Sequence, residues 1–218
     1  MVIAMTGGRT LDPRRDQAIL DAAREVFARK GFTGASMDQI ARSAKVGKDT
    51  LYRRWSSKEA LATETLAVLA ARGVRSPDLD GDPHFALFLM LQDIVRVNRH
   101  SDFGPIVAGI IGEAVRNERL AEAFHRFWSE RRALLGEVVD RIIGNATPAE
   151  RERVIDQLVG PIYYRLLLTG DGPTDEYLWD LVIAVPSSDR IDESRRSSAD
   201  PELTPQHTPQ HTRQETIS

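Results

Sequence analysis

The feature that most limits what this chain can fold into is the spacing of its apolar residues, which recur every three or four positions as far as about Val185. That is the repeat of helices buried along one face, and the two-residue alternation of half-buried strands is scarce. The spacing predicts an all-α fold. Ile19, Ala22, Ala23, Val26 and Phe27 form one stripe of a first helix over 13–30. Pro13 suits its first turn, where a missing N–H costs nothing, and Gly31 supplies its stop. Ser36 with Gln39 three residues on is the pattern of a reciprocal cap, so a second helix starts there with Ile40, Ala41 and Ala44 inward. A helix of barely two turns follows over 48–55, with Leu51 and Trp55 on its buried side. Ser56 with Glu59 repeats the cap pattern and opens a fourth helix, carried by Leu61, Thr65, Leu66 and Leu69 toward Arg72. Further helices are expected over 84–100, 103–116, 120–143, 148–169 and 174–185, divided by Gly, Pro, Asn and Asp.

Composition divides the same chain. The net charge of −3 is an average over unlike parts: residues 9–58 hold twelve Lys or Arg against six Asp or Glu, and the others hold seventeen against twenty-six. A basic front on an acidic body suits a polyanion partner. Residues 73–83, rich in Gly, Pro and Asp, read as a linker, and 186–218, rich in Ser, Pro, Thr and Gln, as a disordered tail with too little apolar surface to order itself. The expected organisation is a helix-turn-helix module over 9–58, a connecting helix and linker over 59–83, a helical body over 84–185, and the tail. The absence of cysteine removes disulfides, thiolate zinc sites and thiol nucleophiles, and it fits a reducing interior. No apolar run approaches the roughly 20 residues of a membrane span, and residues 1–8 lack the charged and apolar regions of a leader. The expectation is a cytoplasmic protein with no membrane partner.

Residues 36–58 carry the functional signal. Two helices joined by a tight turn containing Gly47 can place the second in a DNA major groove. Its outer face offers Lys48, Asp49, Thr50, Tyr52 and Arg53 to phosphates and base edges, while Leu51 and Trp55 anchor its inner face. Pattern alone leaves an ordinary helical hairpin equally open. The stretches ILDAAREVFARKGF, SMDQIARSAKVGKDTLYRRW and SSKEAL, in order over 19–61, resemble the DNA-binding domain of the tetracycline-repressor (TetR) family. That resemblance implies a three-helix DNA-binding domain, a larger ligand-binding and dimerisation domain, and repression of a double-stranded operator relieved by a small-molecule effector. It further implies that Ser36, Tyr52 and Lys58 hold phosphates, that Lys48 and Thr50 approach base edges, and that Arg53 reaches bases or phosphate. Trp55 stands where the family usually has phenylalanine. Asp49 departs from the pattern; it caps the short helix, favours its dipole, accepts from a cytosine amine or points away, the first two being preferred. Arg9, Arg14 and Arg15 either form a minor-groove arm or are simply solvated.

Past the linker, GPIYYRLLLTGDGPTDEYLWDLV resembles the end of a TetR-type C-terminal domain, which implies a homodimer built on the last two helices. Ile155, Leu158, Ile162, Tyr163 and Leu166, with Val159 and Leu167, are the expected dimerisation residues. A two-fold dimer would read a palindromic site. Phe88, Phe103, Phe124, Phe127, Trp128 and His125 are the candidate effector-binding residues, and the effector is expected to be mostly apolar because no glycine-rich phosphate loop occurs. Aromatics at helical spacing are more often plain core. No cofactor or metal is expected: Asp78, Asp80 and Asp82 resemble a calcium loop, but the twelfth position is Leu89, and the prolines around His207 and His211 discourage the helix that would pair them. GxSxG, HExxH, P-loop and GxGxxG motifs are all lacking, so no enzyme is expected. Two other readings stay open: a helical adaptor or small-molecule carrier whose basic front binds an acidic protein, and an activator or architectural DNA binder rather than an effector-released repressor.

Overall fold

The computed structural model describes residues 13–77 and 80–188, and among these every regular element is a helix. α1, Pro13–Gly34, is interrupted at Gly31, whose φ of 67° only glycine adopts readily. The break folds Phe32 back to stack on Phe27 with ring centroids 6.1 Å apart. α2, Met37–Ser43, starts where Ser36 Oγ accepts from the Gln39 amide; the reciprocal half does not form, and Gln39 Oε1 is buried without a partner. α3, Lys48–Arg54, follows a turn in which Lys45, not Gly47, takes the left-handed conformation. α4, Lys58–Gly73, is capped by Ser57 rather than Ser56. Ser57 holds the extended backbone of a cap, φ −150° and ψ 163°, and its side chain accepts from the Ala60 amide, so the helix starts one residue later than the Ser56 pattern predicts.

The remaining helices are α5 (Pro83–His100), α6 (Phe103–Ala114), α7 (Glu118–Ile143), α8 (Pro148–Tyr164) and α9 (Asp175–Ile183). Side chains of Asp82, Asn117, Thr147 and Thr174 cap α5, α7, α8 and α9. Asp82, one of the acids of the calcium-like run, is thereby used as a cap; Asp78 lies outside the described residues. Pro161 withholds one N–H from α8, and the helix ends in a wider π turn, Arg165–Thr169. The N-terminal Arg9 and all of the expected tail past residue 188 also lie outside the described residues.

Two apolar cores result, and they do not divide at the linker. The first joins α1–α4 to α6 and the early turns of α7, through Phe27, Leu51, Trp55, Leu66, Ile110 and Phe124. The second joins α5, the later turns of α7, α8 and α9, through Leu91, Val139, Ile155 and Leu178. α7, about 39 Å long at 1.5 Å per residue, serves both.

A charged clasp ties the end of α4 to α5. The Asp93 side chain has no solvent exposure, and its carboxylate accepts from the Arg75 amide (2.9 Å), Arg75 Nε (2.7 Å) and Nη2 (3.0 Å), and Arg96 Nη2 (2.7 Å). Arg96 Nη2 also donates to the carbonyl of Gly73, the last residue of α4. Burial opposes the charge on Asp93, but the donors from Arg75 and Arg96 outweigh it and draw the carboxyl down from 3.8 to about 2. A group lowered on folding stabilises the fold above its unfolded value and loses that contribution as pH falls toward the folded one. Asp93→Ala should therefore cost about 2 kcal/mol near neutrality, since both guanidinium groups can return to water. Urea unfolding of both proteins should show the difference shrinking as pH drops from 4 to 2; a difference that does not change with pH would mean the carboxylate's charge is not what stabilises.

Candidate nucleic-acid interface and internal cavity

α3 is fixed from behind. Leu51 is fully buried and Trp55 nearly so, and Trp55 Nε1 donates to Glu64 on α4 at 2.7 Å, a bond that phenylalanine would lack. Arg54 bridges the same corner: its Nε donates to Asp16 on α1 at 2.9 Å while its guanidinium lies 5.3 Å from the Trp55 ring centroid. With the inner side locked to α1 and α4, Lys48, Asp49, Tyr52 and Arg53 are exposed and Thr50 is half-buried. The sequence-derived DNA-binding residues of α3 are thus presented on its outer side, Ser36 is exposed at the start of α2, and several have local partners. Lys48 Nζ pairs with Asp38 of α2, Arg53 Nη2 donates to Thr50 Oγ1 at 3.3 Å, and Ser36 accepts from Gln39 as cap. Asp49 makes no capping bond and stands in the first turn of α3, where the helix dipole favours an acid. Arg14 and Arg15 are exposed in the first turn of α1.

Lys58 is placed differently from its neighbours. Nζ donates to the carbonyls of Phe32 at 2.8 Å and Ala35 at 3.1 Å, and lies 4.2 Å from the Phe32 ring centroid. It fastens the start of α4 to the end of α1, adding a donor to the Phe32 carbonyl, which also accepts from the Ala35 amide, and one to the Ala35 carbonyl.

The helical body holds a pocket of about 720 Å³ that is partly open to solvent. Its wall takes Ala70 and Ala71 from the last turns of α4, Ile94 and Val97 from α5, and Tyr163 from α8. Of the six residues proposed for an effector, Phe103 and Trp128 line it. Phe124 and Phe127 are buried in the first core, stacked at 6.2 Å, with Phe127 supporting Trp128 edge-on at 5.3 Å. Phe88 is elsewhere, packed on Phe85 and Trp179, and His125 is exposed. Spacing cannot make that separation: residues 124, 127 and 128 share a helical face, and only the neighbouring helix decides which of them meets open space.

The dimerisation residues divide as well. Ile155, Leu158 and Ile162 are buried in the second core and Leu166 is half-buried against it. Tyr163 lines the cavity, edge-on to Trp128 at 5.1 Å, its hydroxyl accepting from Asn98 Nδ2 at 3.4 Å. Burial pushes this phenol above its ordinary range, so it stays protonated. Among the described residues, the large apolar side chains left outward on α8, the π turn and α9 are Tyr164, Leu167, Leu168, Trp179 and Ile183, of which Leu167 also lines the pocket. Among the described residues no group of three or more His, Cys, Asp or Glu could hold a metal, and no helix is long and apolar enough to cross a membrane.

A short, exposed polar helix backed by two others, on a helical body with a largely apolar pocket, defines a helix-turn-helix protein. The comparisons agree. Residues 19–65 match the model of bacterial regulatory proteins of the tetR family, and residues 77–185 match that of the tetracyclin repressor-like C-terminal domain. The HTH-type transcriptional regulator YdeS of Bacillus subtilis is 34% identical over 186 residues, 81% of this chain and 90% of that protein. Rv1556 of Mycobacterium tuberculosis, also an HTH-type transcriptional regulator, is 26% identical over 87% of this chain and 98% of its own length. The crystal structure of the TetR family transcription regulator SCO0332 superposes with a TM-score of 0.61 at 27% identity, covering 78% of this chain and 94% of that one. The chain belongs to the TetR family of DNA-binding transcriptional regulators.

The Lys58 contacts can be checked without DNA. Lys58→Met keeps a stem over Phe32 but removes two donors, and should lower stability by about 1–2 kcal/mol. DNA-free urea unfolding indistinguishable from the parent would assign the ammonium to the DNA surface alone.

Proposed function

We propose that this regulator is a repressor that binds a palindromic double-stranded operator as a homodimer and is released by a small, mostly apolar effector. The observation that carries the reading is the position of α4. Its first residue, Lys58, holds the end of α1, and Glu64, a turn and a half on, holds Trp55 of the recognition helix; its last turns, at Ala70 and Ala71, are cavity wall. A ligand seated against Ala70 and Ala71 touches the same helix that holds α3 through Glu64 and Trp55, so a shift of α4 on binding would be passed to the recognition helix. The apolar lining, with Ile94, Val97, Phe103 and Trp128, favours an apolar body. The working division is a DNA-binding module over 9–58, α4 and linker over 59–83, and a ligand and dimer body over 84–185, in the cytoplasm and without catalytic activity.

On the DNA side, Ser36, Tyr52 and Lys58 set the register on phosphates, Lys48 and Thr50 face base edges, and Arg53 serves either. Lys48 exchanges its pairing with Asp38 for DNA, which leaves Asp38 to discipline it in the free protein. Selection of random duplexes by the purified protein near physiological salt should enrich an inverted repeat with half-sites spaced by roughly 34–36 Å or a multiple. No enrichment, with binding indifferent to salt, would instead favour an adaptor that contacts an acidic protein. In the same assay Tyr52→Phe should weaken all sites alike, whereas Lys48→Ala should also change the preferred sequence. Equal losses across sites for Lys48→Ala would remove its base-reading role.

The dimer is assigned to the outward residues Tyr164, Leu168, Trp179 and Ile183 rather than to Ile155, Leu158 and Ile162, which the chain's own core consumes. Leu168 is 75% exposed, so a polar replacement there should not disturb the fold. Leu168→Glu with Ile183→Glu should give a folded monomer by light scattering and lose operator affinity by about 100-fold or more, as expected when two linked contacts become one. A dimeric mass in that variant would place the interface elsewhere.

A further inference from the structure

The cavity is apolar over most of its wall, yet four ionised side chains reach it: Arg75, Arg131, Arg132 and Asp156. Three are already neutralised. Arg75 shares the Asp93 carboxylate with Arg96, and Arg132 is held by Glu152 and by Asp156, whose Oδ1 accepts from Nη1 at 2.7 Å. Arg75, Arg96 and Arg132 are therefore matched by Asp93, Glu152 and Asp156. Arg131 is left over. Among the described residues no carboxylate pairs with it; its guanidinium lies 6.0 Å from the Phe127 ring centroid, and its Nε is buried with no hydrogen-bond partner. A buried donor on a permanent cation is costly to leave unsatisfied, and a guanidinium fork pairs in two parallel bonds with a carboxylate or a phosphate; the carboxylate, with its single charge, suits one unmatched arginine on an apolar wall.

A second polar group on the same wall has the same polarity. The Tyr163 hydroxyl accepts from Asn98, so its own hydrogen is free to be donated, and burial keeps that hydrogen on the oxygen. The uncommitted groups of the cavity thus offer donors, one of them charged, while its one carboxylate, Asp156, is occupied by Arg132. An amine would meet an unpaired cation; an uncharged hydrocarbon would leave both donors unmet.

We infer that the effector is an amphipathic organic monoanion, an aromatic or aliphatic body with a single carboxylate head, with Arg131 binding the head and the Tyr163 hydroxyl donating to an oxygen of the ligand. This rests on the reading of the cavity as the effector site.

Calorimetric titration of the full chain with three probes that share a biphenyl body tests it: 4-phenylbenzoate, 4-phenylbenzyl alcohol and 4-phenylbenzylamine. The acid should bind at least about tenfold more tightly than the alcohol, and the amine most weakly. Arg131→Gln should bring acid and alcohol within about twofold of each other, mainly by weakening the acid, and Arg131→Lys should restore part of the gap. Gly160→Phe, whose added side chain starts in open space on the cavity wall, should abolish binding of both. Equal affinities for acid and alcohol in the parent protein, both lost in Gly160→Phe, would overturn the anion assignment and leave the effector cavity standing. A gap that survives Arg131→Gln would overturn the role of Arg131. Absence of binding by all three probes, or binding untouched by Gly160→Phe, would overturn the effector reading and this inference with it.

Discussion

One helix has to satisfy two sets of neighbours at once, and the rest of the architecture follows from that constraint. α4 packs Leu61 and Leu66 into the core shared with α1 and α3, and its last turns close a cavity formed largely by α5, α7 and α8. Both of its ends are held by charge-assisted bonds rather than by apolar contact alone: Lys58 on the carbonyls that follow the Gly31 break, and the Gly73 carbonyl on Arg96, which Asp93 holds in turn. Charge-assisted bonds are directional, so they resist sliding and rotation in a way that interdigitated aliphatic side chains do not. A helix held in this way ties the DNA-binding module to the body at both of its ends.

The cavity and the recognition helix use polar groups on opposite terms. On α3 the inner edge is saturated: Trp55 Nε1 has Glu64 and Arg54 has Asp16, and the tight fit leaves the outer polar face free of structural duty apart from weak local pairs. In the cavity the matched arginines stiffen the wall while Arg131 stands unmatched. Satisfied groups build the frame and unsatisfied ones mark where a partner is missing, because leaving a buried donor bare costs more than a net hydrogen bond returns.

Most helices were legible before any coordinates. Pro13, Gly31, Ser36, Pro83 and Pro148 mark starts and stops through local backbone chemistry, and the inward placement of Ile19, Phe27, Leu51 and Trp55 follows from the 3.6-residue repeat. Adjacent Ser56 and Ser57 offer two caps, and the pairing of Ser56 with Glu59 points to the wrong one; the backbone path between α3 and α4, which adjacent serines cannot encode, selects Ser57. The π turn after Pro161 carries no sequence mark beyond the proline itself.

What the sequence by itself determined is the helical class, the order and approximate ends of its helices, and the surface of α3, since all of these depend on interactions within a few residues of each other. Tertiary structure alone decided which apolar residues of one helical face do what. Ile155, Leu158 and Ile162 turn to the chain's own core while Leu168 and Ile183 stay outward; Trp128 reaches the cavity while Phe124, four residues before it, does not; and Arg131 is left without the acid that Arg132, its neighbour, obtains. The reason is physical. Periodicity states that a face must be covered, but what covers it is set by helices distant in sequence, whose packing angles and gaps no local pattern encodes.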